Sequence, residues 1–442
     1  MSDNLANDQS NKVIPKQILF PFILVTSLFA MWGFANDITN PMVAAFKNIL
    51  LISNFESSLV QFAFYGGYCV MAIPAALFIK RYTYKKGILL GLFLYSAGCF
   101  LFIPSGITMQ FWAFLIAYFI MTCGLSFLET SANPYVLAMG SEETSTRRLN
   151  FAQSFNPMGS LLGMFVARDF ILAHLDKTPE AARRTLQATD PNAFIAIAKH
   201  DLDTIIGPYA VLGIVVLVAL VIFAISKLPM SKGEEDNKIN AIPTLKRLWA
   251  NKKYMEGVIA QAFYVGAQIM CWTFIIQYGV NELGLEKTDA QSYNMVAMII
   301  FVTSRFICTF LLKYFSPGGL LSTLAIGGLI LTAGTIFIRG MLGIYCLVGV
   351  SACMSLMFPT IYGIALKGLG DDAKLGAAGL IMAIGGGCLM PPMQGWIMDQ
   401  SALNLGFMML SSTRASFFLP LICFVIIAIY GYRTSNVHGH TY

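Results

Sequence analysis

The chain is dominated by a succession of apolar stretches, each about as long as a lipid bilayer is thick. Roughly 20 apolar residues in a helix are needed to cross the hydrocarbon core of a membrane. Stretches of that kind fall near residues 18–46, 58–79, 87–106, 110–139, 148–172, 207–226, 254–281, 290–312, 319–338, 341–366, 376–398 and 415–432, and are numbered helices 1 to 12. Inside lipid a segment must satisfy its own backbone hydrogen bonds, which a helix does. The expectation is an all-α membrane protein with twelve transmembrane helices. Composition excludes a soluble alternative. Only 12% of the 442 residues are charged, against about 25% in soluble domains, too few to cover a water-soluble globule. The first stretch is far longer than the core of a cleavable signal, so it reads as a retained helix.

Lysine and arginine set the expected orientation, because cytoplasmic loops carry an excess of them. Lys12 and Lys16 precede helix 1, Lys80, Arg81, Lys85 and Lys86 join helices 2 and 3, and Arg147 and Arg148 join helices 4 and 5. The loop Pro104–Gln110 after helix 3 has no charge. Between helices 6 and 7 lie Lys227, Lys232, Lys238, Lys246, Arg247, Lys252 and Lys253. This alternation puts both termini and the central loop in the cytoplasm. The expected organisation is a cytoplasmic tail (1–17), a six-helix half (18–228), a central cytoplasmic loop (229–252), a second six-helix half (253–432) and a cytoplasmic tail (433–442). The outer loop His174–Ile206 carries Thr178-Pro179-Glu180 and Asp190-Pro191, which read as caps with proline in the first turn of short surface helices. No Asn-X-Ser/Thr sequon occurs, in keeping with a bacterial inner membrane.

The two halves share a pattern. Helix 4 carries Asn133-Pro134-Tyr135 and ends at Gly140-Ser141-Glu142-Glu143, with Arg147 beyond; helix 10 carries Phe358-Pro359-Thr360 and ends at Gly370-Asp371-Asp372, with Lys374 beyond. A proline-broken helix leading to a glycine, an acidic pair and a base in each half points to duplication, a common origin of transporters. Ala63-Phe64-Tyr65 against Ala262-Phe263-Tyr264 pairs helix 2 with helix 7, the wrong register for such a repeat, and reads as coincidence.

Several chemistries are excluded. All nine cysteines lie in apolar blocks, and the four histidines lie in a loop or the tail, so neither metal nor haem is expected in the membrane. There is no Walker motif and no nucleophile–base constellation, so neither ATP-driven pumping nor intramembrane catalysis is expected, nor any cofactor. Gly385-Gly386-Gly387 lies in an apolar helix and permits close helix contact rather than phosphate binding. The net charge of +6 reflects the cytoplasmic bases, not a nucleic-acid footprint.

What remains is the polar content of the apolar helices. A charge at the bilayer centre costs at least about 3 kcal/mol, which makes each intramembrane acid a functional candidate. Asn36, Asp37 and Asn40 stand at i, i+1 and i+4 on one side of helix 1, and Pro41 frees a backbone carbonyl beside them. Amides beside a titratable acid suit a hydroxyl-rich ligand together with a proton; packing against a neighbouring helix is the alternative. Glu129 and Asn133 share a face of helix 4 at i, i+4, with a simple interhelical hydrogen bond as the alternative for the acid. Gln153 and Asn156 in helix 5 offer donors and acceptors for sugar hydroxyls or for a neighbouring helix. Gln268 and Trp272 in helix 7 place an amide beside an indole face, an arrangement that holds a pyranose ring; an interfacial anchor is the other reading of the indole. Arg305 in helix 8 is the clear cation of the second half, a gate or a structural partner for a loop acid. Gln61, Tyr65, Asn294, Tyr362 and Gln394 are further lining candidates.

Leu128–Tyr135 (LETSANPY), Arg148–Asn156 (RLNFAQSFN) and Tyr264–Trp272 (YVGAQIMCW) carry a resemblance. Through them the chain resembles the fucose–galactose–glucose symporter group of the major facilitator superfamily, from helix 1 to helix 12. The resemblance implies the major facilitator fold, with two six-helix halves working by alternating access, and proton-coupled import of L-fucose or a related monosaccharide. It implies that Glu129 takes part in sugar binding and proton coupling, that Gln153 and Asn156 contact the sugar, and that Asn36 and its neighbours line the same cavity. One exchange departs from the family pattern, which has its helix 1 aspartate where this chain has Asn40 and an asparagine where it has Asp37. Three residues move an acid about 4.5 Å along a helix and about 60° around it, so Asp37 can still face the cavity. The expected partners are a monosaccharide, a proton and the lipid bilayer, with no nucleic acid, and the expected state is a monomer. Sodium coupling, a glucose, galactose or N-acetylglucosamine substrate, a drug exporter and a non-transporting membrane sugar sensor are the alternatives.

Overall fold

The computed structural model describes residues 14, 16–139, 148, 151–228, 241–311, 314–369, 372–404, 406 and 409–437. The turns at Gly140–Glu143, Gly370 and Asp371, the base Arg147 and the central loop 229–240 lie outside them. Among the described residues nine helices are long and apolar enough to cross a membrane, and Lys252–Thr273 with Ile275–Leu283, bent by 43°, makes a tenth. Two further passages complete twelve. Helix 5 is Phe155–Val166 continued by a π-helical stretch, Ala167–Ile171, and a 3-10 turn, Leu172–His174; helix 8 is Lys287–Leu311.

Helix 1 runs Leu19–Thr39 and resumes as Met42–Leu50; helix 2 is Asn54–Arg81, helix 3 Tyr84–Thr108, helix 4 Phe111–Ala138 and helix 6 Pro191–Ile225. In the second half helix 9 is Pro317–Phe337, helix 10 is Met341–Met354 with Met357–Leu366, and helix 11 is Ala373–Met382 joined through Ala383–Gly385 to Gly386–Met398. Helix 12 is Ser412–Ser416 with Phe418–Val437. A two-residue hairpin precedes it, Leu403 opposite Leu410 and Asn404 opposite Met409. Polar residues start these helices. Ser53 and Glu56 form a reciprocal capping box on helix 2, and Ser316 caps helix 9 just ahead of Pro317. Phe93, Val211, Val218, Ile225 and Ile330 point outward and are exposed, a surface that is stable in lipid rather than in water.

Helix 6 is longer than the apolar pattern predicts. Asp190 caps it, its carboxylate accepting from the Ala193 amide, and Pro191 opens it, so the second expected surface helix is the polar start of helix 6 itself. The first expected surface helix forms as Glu180–Thr189. Helix 4 continues through Pro134, whereas helix 10 is interrupted just ahead of Pro359, so the repeat shares residues without sharing the break.

An even number of passages leaves the start of helix 1 and the end of helix 12 on one side, here called the terminal face; the turns around Leu51–Ser53 and Met109–Gln110 and the end of helix 11 form the distal face. A buried ion pair organises the distal loop. Arg183 Nη2 donates to Asp201 Oδ2 at 2.6 Å and to the Asp176 carbonyl at 2.9 Å, while Asp201 Oδ1 accepts from the Asp176 amide at 2.7 Å. Both side chains are almost fully buried. Removing one partner of such a pair strands the other charge, so Arg183→Leu should destabilise the protein by about 3–5 kcal/mol. Thermal unfolding in detergent checks this, and a midpoint equal to wild type would refute it.

Candidate functional site

Helices 1, 7 and 10 are interrupted within the membrane, and each interruption frees backbone carbonyls that need donors. At the bend of helix 7 the Trp272 carbonyl accepts from Asn294 Nδ2 at 3.2 Å. At the break in helix 10 the Met354 carbonyl accepts from the Tyr264 hydroxyl at 3.1 Å, and the Ser355 carbonyl from Arg305 Nε at 3.1 Å. Arg305 therefore braces helix 10 from helix 8, its guanidinium 4.8 Å from the centre of the Phe301 ring. Broken helices are where many membrane transporters assemble their binding sites.

The break in helix 1 carries the first acid. Asn40 Nδ2 donates to Asp37 Oδ1 at 3.0 Å, and Gln61 Nε2 on helix 2 donates both to Asn40 Oδ1 at 3.1 Å and to Thr273 Oγ1 at 3.0 Å. Thr273 ends the first part of helix 7. One chain of hydrogen bonds thus links Thr273 of the second half through Gln61 of helix 2 to a carboxylate of the first, and all four side chains are buried. Ser160 of helix 5 stands beside Asp37 and donates to the Gly33 carbonyl at 3.4 Å. Helices 1 and 5 lie close enough for this because Gly159 has no side chain; a Cβ there would collide with the Ala30 carbonyl. Asn36, half-buried beside Asp37, has its Oδ1 enclosed without a donor among the described residues.

The second acid, Glu129, stands in a separate cluster. Asn133 Nδ2 donates to the Glu129 carbonyl at 3.0 Å, and Asn133 Oδ1 accepts from Gln153 Nε2 at 3.0 Å, so helices 4 and 5 bring together three of the residues singled out above. Asn156 Nδ2 donates to the Phe29 carbonyl of helix 1 at 3.3 Å. The Glu129 carboxylate lies within electrostatic range of the phenols of Tyr68 and, from the other half, Tyr362. Tyr65 stands in the same relation to Asp37. The Tyr65 and Tyr68 rings of helix 2 stack with centroids 6.4 Å apart.

In the second half, Trp272 is buried against Phe301, with ring centroids 5.1 Å apart, and its indole N–H donates to Ser351 Oγ at 3.0 Å. Its indole thus joins helices 7, 8 and 10, while its neighbour Thr273 meets the Asp37 cluster. Gln268 lies one turn before it and is half-buried. Gln394 Nε2 donates to Ser416 Oγ at 3.1 Å, tying helix 11 to helix 12. Thr273, Ser160, Tyr68 and Ser351 were not legible as site residues; small hydroxyls and tyrosines are frequent in membrane helices, and only their partners distinguish them. Among the described residues no group of three or more His, Cys, Asp or Glu could hold a metal ion.

Helices 2 and 11 pack together along both segments of helix 11, and further polar contacts between the halves occur at the distal face. Besides Gln61–Thr273, Arg168 Nε donates to Ser292 Oγ at 2.9 Å between helices 5 and 8, and Lys177 faces Glu286 at 3.6 Å. Asp399, at the end of helix 11, accepts from the first residues of helix 2.

The profile of the Major Facilitator Superfamily matches residues 23–378. An L-fucose-proton symporter of Haemophilus influenzae is 54% identical over 428 residues, covering 96% of this chain and 99% of that protein. An L-fucose-proton symporter of Escherichia coli is 33% identical, covering 94% of this chain and 93% of that protein. Among solved structures, that of the major facilitator superfamily transporter FucP in the outward conformation matches with a TM-score of 0.72 at 31% identity, covering 95% of this chain and all of that one.

Proposed function

The chain belongs to the major facilitator superfamily, and from that membership we propose that it imports L-fucose together with protons by alternating access. It is a multi-pass membrane transporter, not an enzyme. The observation that carries the proposal is the pair of membrane-embedded carboxylates, Asp37 and Glu129, each with amide side chains beside it. An amide cluster holds sugar hydroxyls in either direction of donation. A carboxylate in the same cluster changes its hydrogen-bonding character when it gains a proton, so one event is felt by the sugar and by the helices together.

In this reading Glu129 and Asp37 couple the proton. Asn36, Asn40, Asn133, Gln153, Asn156, Gln268 and Trp272 bind the sugar with Glu129, and Arg305 holds helix 10 in register. Protonation from the distal side permits sugar binding and the switch to a state open at the terminal face; release of both cargoes resets the carrier. The terminal face is the cytoplasmic face of a bacterial inner membrane, as the bases between helices 2 and 3 favour. The six-helix halves 18–228 and 253–432 rock as units about the central segment, and the carrier works as a monomer.

Proteoliposomes given labelled L-fucose, with galactose, glucose and N-acetylglucosamine as competitors, test the proposal. L-fucose should enter against its gradient, compete best, and carry protons that acidify the lumen. Uptake that follows a sodium gradient and ignores a protonophore would overturn proton coupling, and preferential uptake of a competitor would overturn the substrate.

A further inference from the structure

At the distal face one carboxylate of the second half takes up the free end of a helix of the first. The first amides of a helix lack partners within it and need acceptors from elsewhere. At the start of helix 2, Ser53 Oγ accepts from the Glu56 amide at 3.0 Å and Glu56 Oε2 accepts from the Ser53 amide at 2.8 Å. The amides between them, those of Asn54 and Phe55, donate to the other half of the molecule. Asp399 Oδ1 accepts from Asn54 N at 2.9 Å and from Asn54 Nδ2 at 2.7 Å, and Asp399 Oδ2 accepts from Phe55 N at 2.7 Å. An ionised acceptor on the positive end of a helix makes strong hydrogen bonds. One turn earlier in helix 11, Gly395 provides the clearance. A Cβ on it would lie 2.5 Å from the Asn54 carbonyl oxygen and 2.8 Å from Ser58 Oγ. Gly395 thus lets the two backbones touch, and helical spacing delivers Asp399 to the end of its neighbour.

We propose that Asp399, with Gly395 as its clearance, is a latch that holds the distal face shut and releases it when the halves part. It is a positioning residue for transport and rests on the alternating-access reading: it weights the equilibrium between the two open states without touching sugar or either coupling acid. When the distal face opens, Asp399 and the two amides turn to water, and three charge-assisted bonds are exchanged together. The other distal contacts are single ones: Arg168 makes one hydrogen bond to Ser292, Gln61 one to Thr273, and the Lys177–Glu286 ion pair is exposed.

Hydrogen–deuterium exchange of the full-length chain in lipid nanodiscs tests the latch. Asp399→Asn should speed exchange about tenfold at the distal ends of helices 1, 2, 7 and 11, and slow it at the terminal ends of helices 4, 5, 10 and 11. Gly395→Ala, which forces the same contact apart from the other side, should give the same reciprocal pattern. Ser53→Ala weakens a cap that lies wholly within the first half, and should speed exchange at the start of helix 2 alone. If Asp399→Asn and Gly395→Ala behave like Ser53→Ala, or like wild type, the latch is wrong. Sugar uptake by the wild type is measured in parallel. Its absence would overturn the transport reading, while the exchange pattern would still decide the latch.

Discussion

Glu129→Gln should abolish accumulation of L-fucose while leaving exchange of labelled for unlabelled sugar intact. Moving one proton inward across about 100 mV supplies about 2.3 kcal/mol. At about 1.4 kcal/mol per factor of ten, that sustains a sugar gradient of roughly 40-fold. An uncoupled carrier only equilibrates its substrate, so the variant should fall from about 40-fold accumulation to about one. Glutamine keeps the length of the side chain and, like a protonated carboxyl, presents both a donor and an acceptor. The Asn133–Gln153 pair should therefore keep its geometry, because Asn133 bonds the backbone carbonyl of residue 129 rather than its carboxylate. Proteoliposomes with an inside-negative potential read accumulation, and the same vesicles preloaded with unlabelled sugar read exchange. Accumulation equal to wild type would remove Glu129 from coupling; loss of both readings in a folded variant would make it a binding residue instead.

The twelve passages were legible because bilayer thickness imposes a length that apolar composition reports directly. The start of helix 6 escaped that logic, since Pro191–Ile206 is polar enough to resemble a loop and only the Asp190 cap marks it. At the site, spacing along one helix paired Asp37 with Asn40 and Glu129 with Asn133, because neighbours on a helix face are fixed by its pitch. What spacing could not reveal is what crosses between helices. Gln61 read as a weak lining candidate, yet it joins helices 1, 2 and 7. Trp272 read as a sugar platform or an anchor, and its N–H goes to Ser351, 79 residues away. Asp399 read as nothing in particular, because its meaning lies in amides 345 residues earlier. Such partners come from tertiary packing, and a single sequence carries no local trace of them.

The exchange of acid and amide in helix 1 makes the sharpest test of the Asp37 cluster. Asp37→Asn alone should reduce accumulation from roughly 40-fold to near unity, as neutralising a coupling acid should. The double variant Asp37→Asn/Asn40→Asp should recover a substantial part of it, about half or more of wild type. Asn40 already donates to the Asp37 carboxylate and accepts from Gln61. With the residues exchanged, the new amide at 37 donates to the carboxylate at 40, and that carboxylate accepts from Gln61. Each hydrogen bond survives, with the acid now one bond nearer the second half of the protein. The link through Gln61 to Thr273 then couples the acid to helix 7 more directly. Asn40→Asp alone puts two carboxylates where one amide-bridged acid stood, and should impair transport through mutual repulsion. Transport that recovers only in the double variant means that the cluster, rather than one fixed residue, holds the coupling proton. A double variant as inactive as Asp37→Asn would show instead that the carboxyl works only from position 37, beside Ser160.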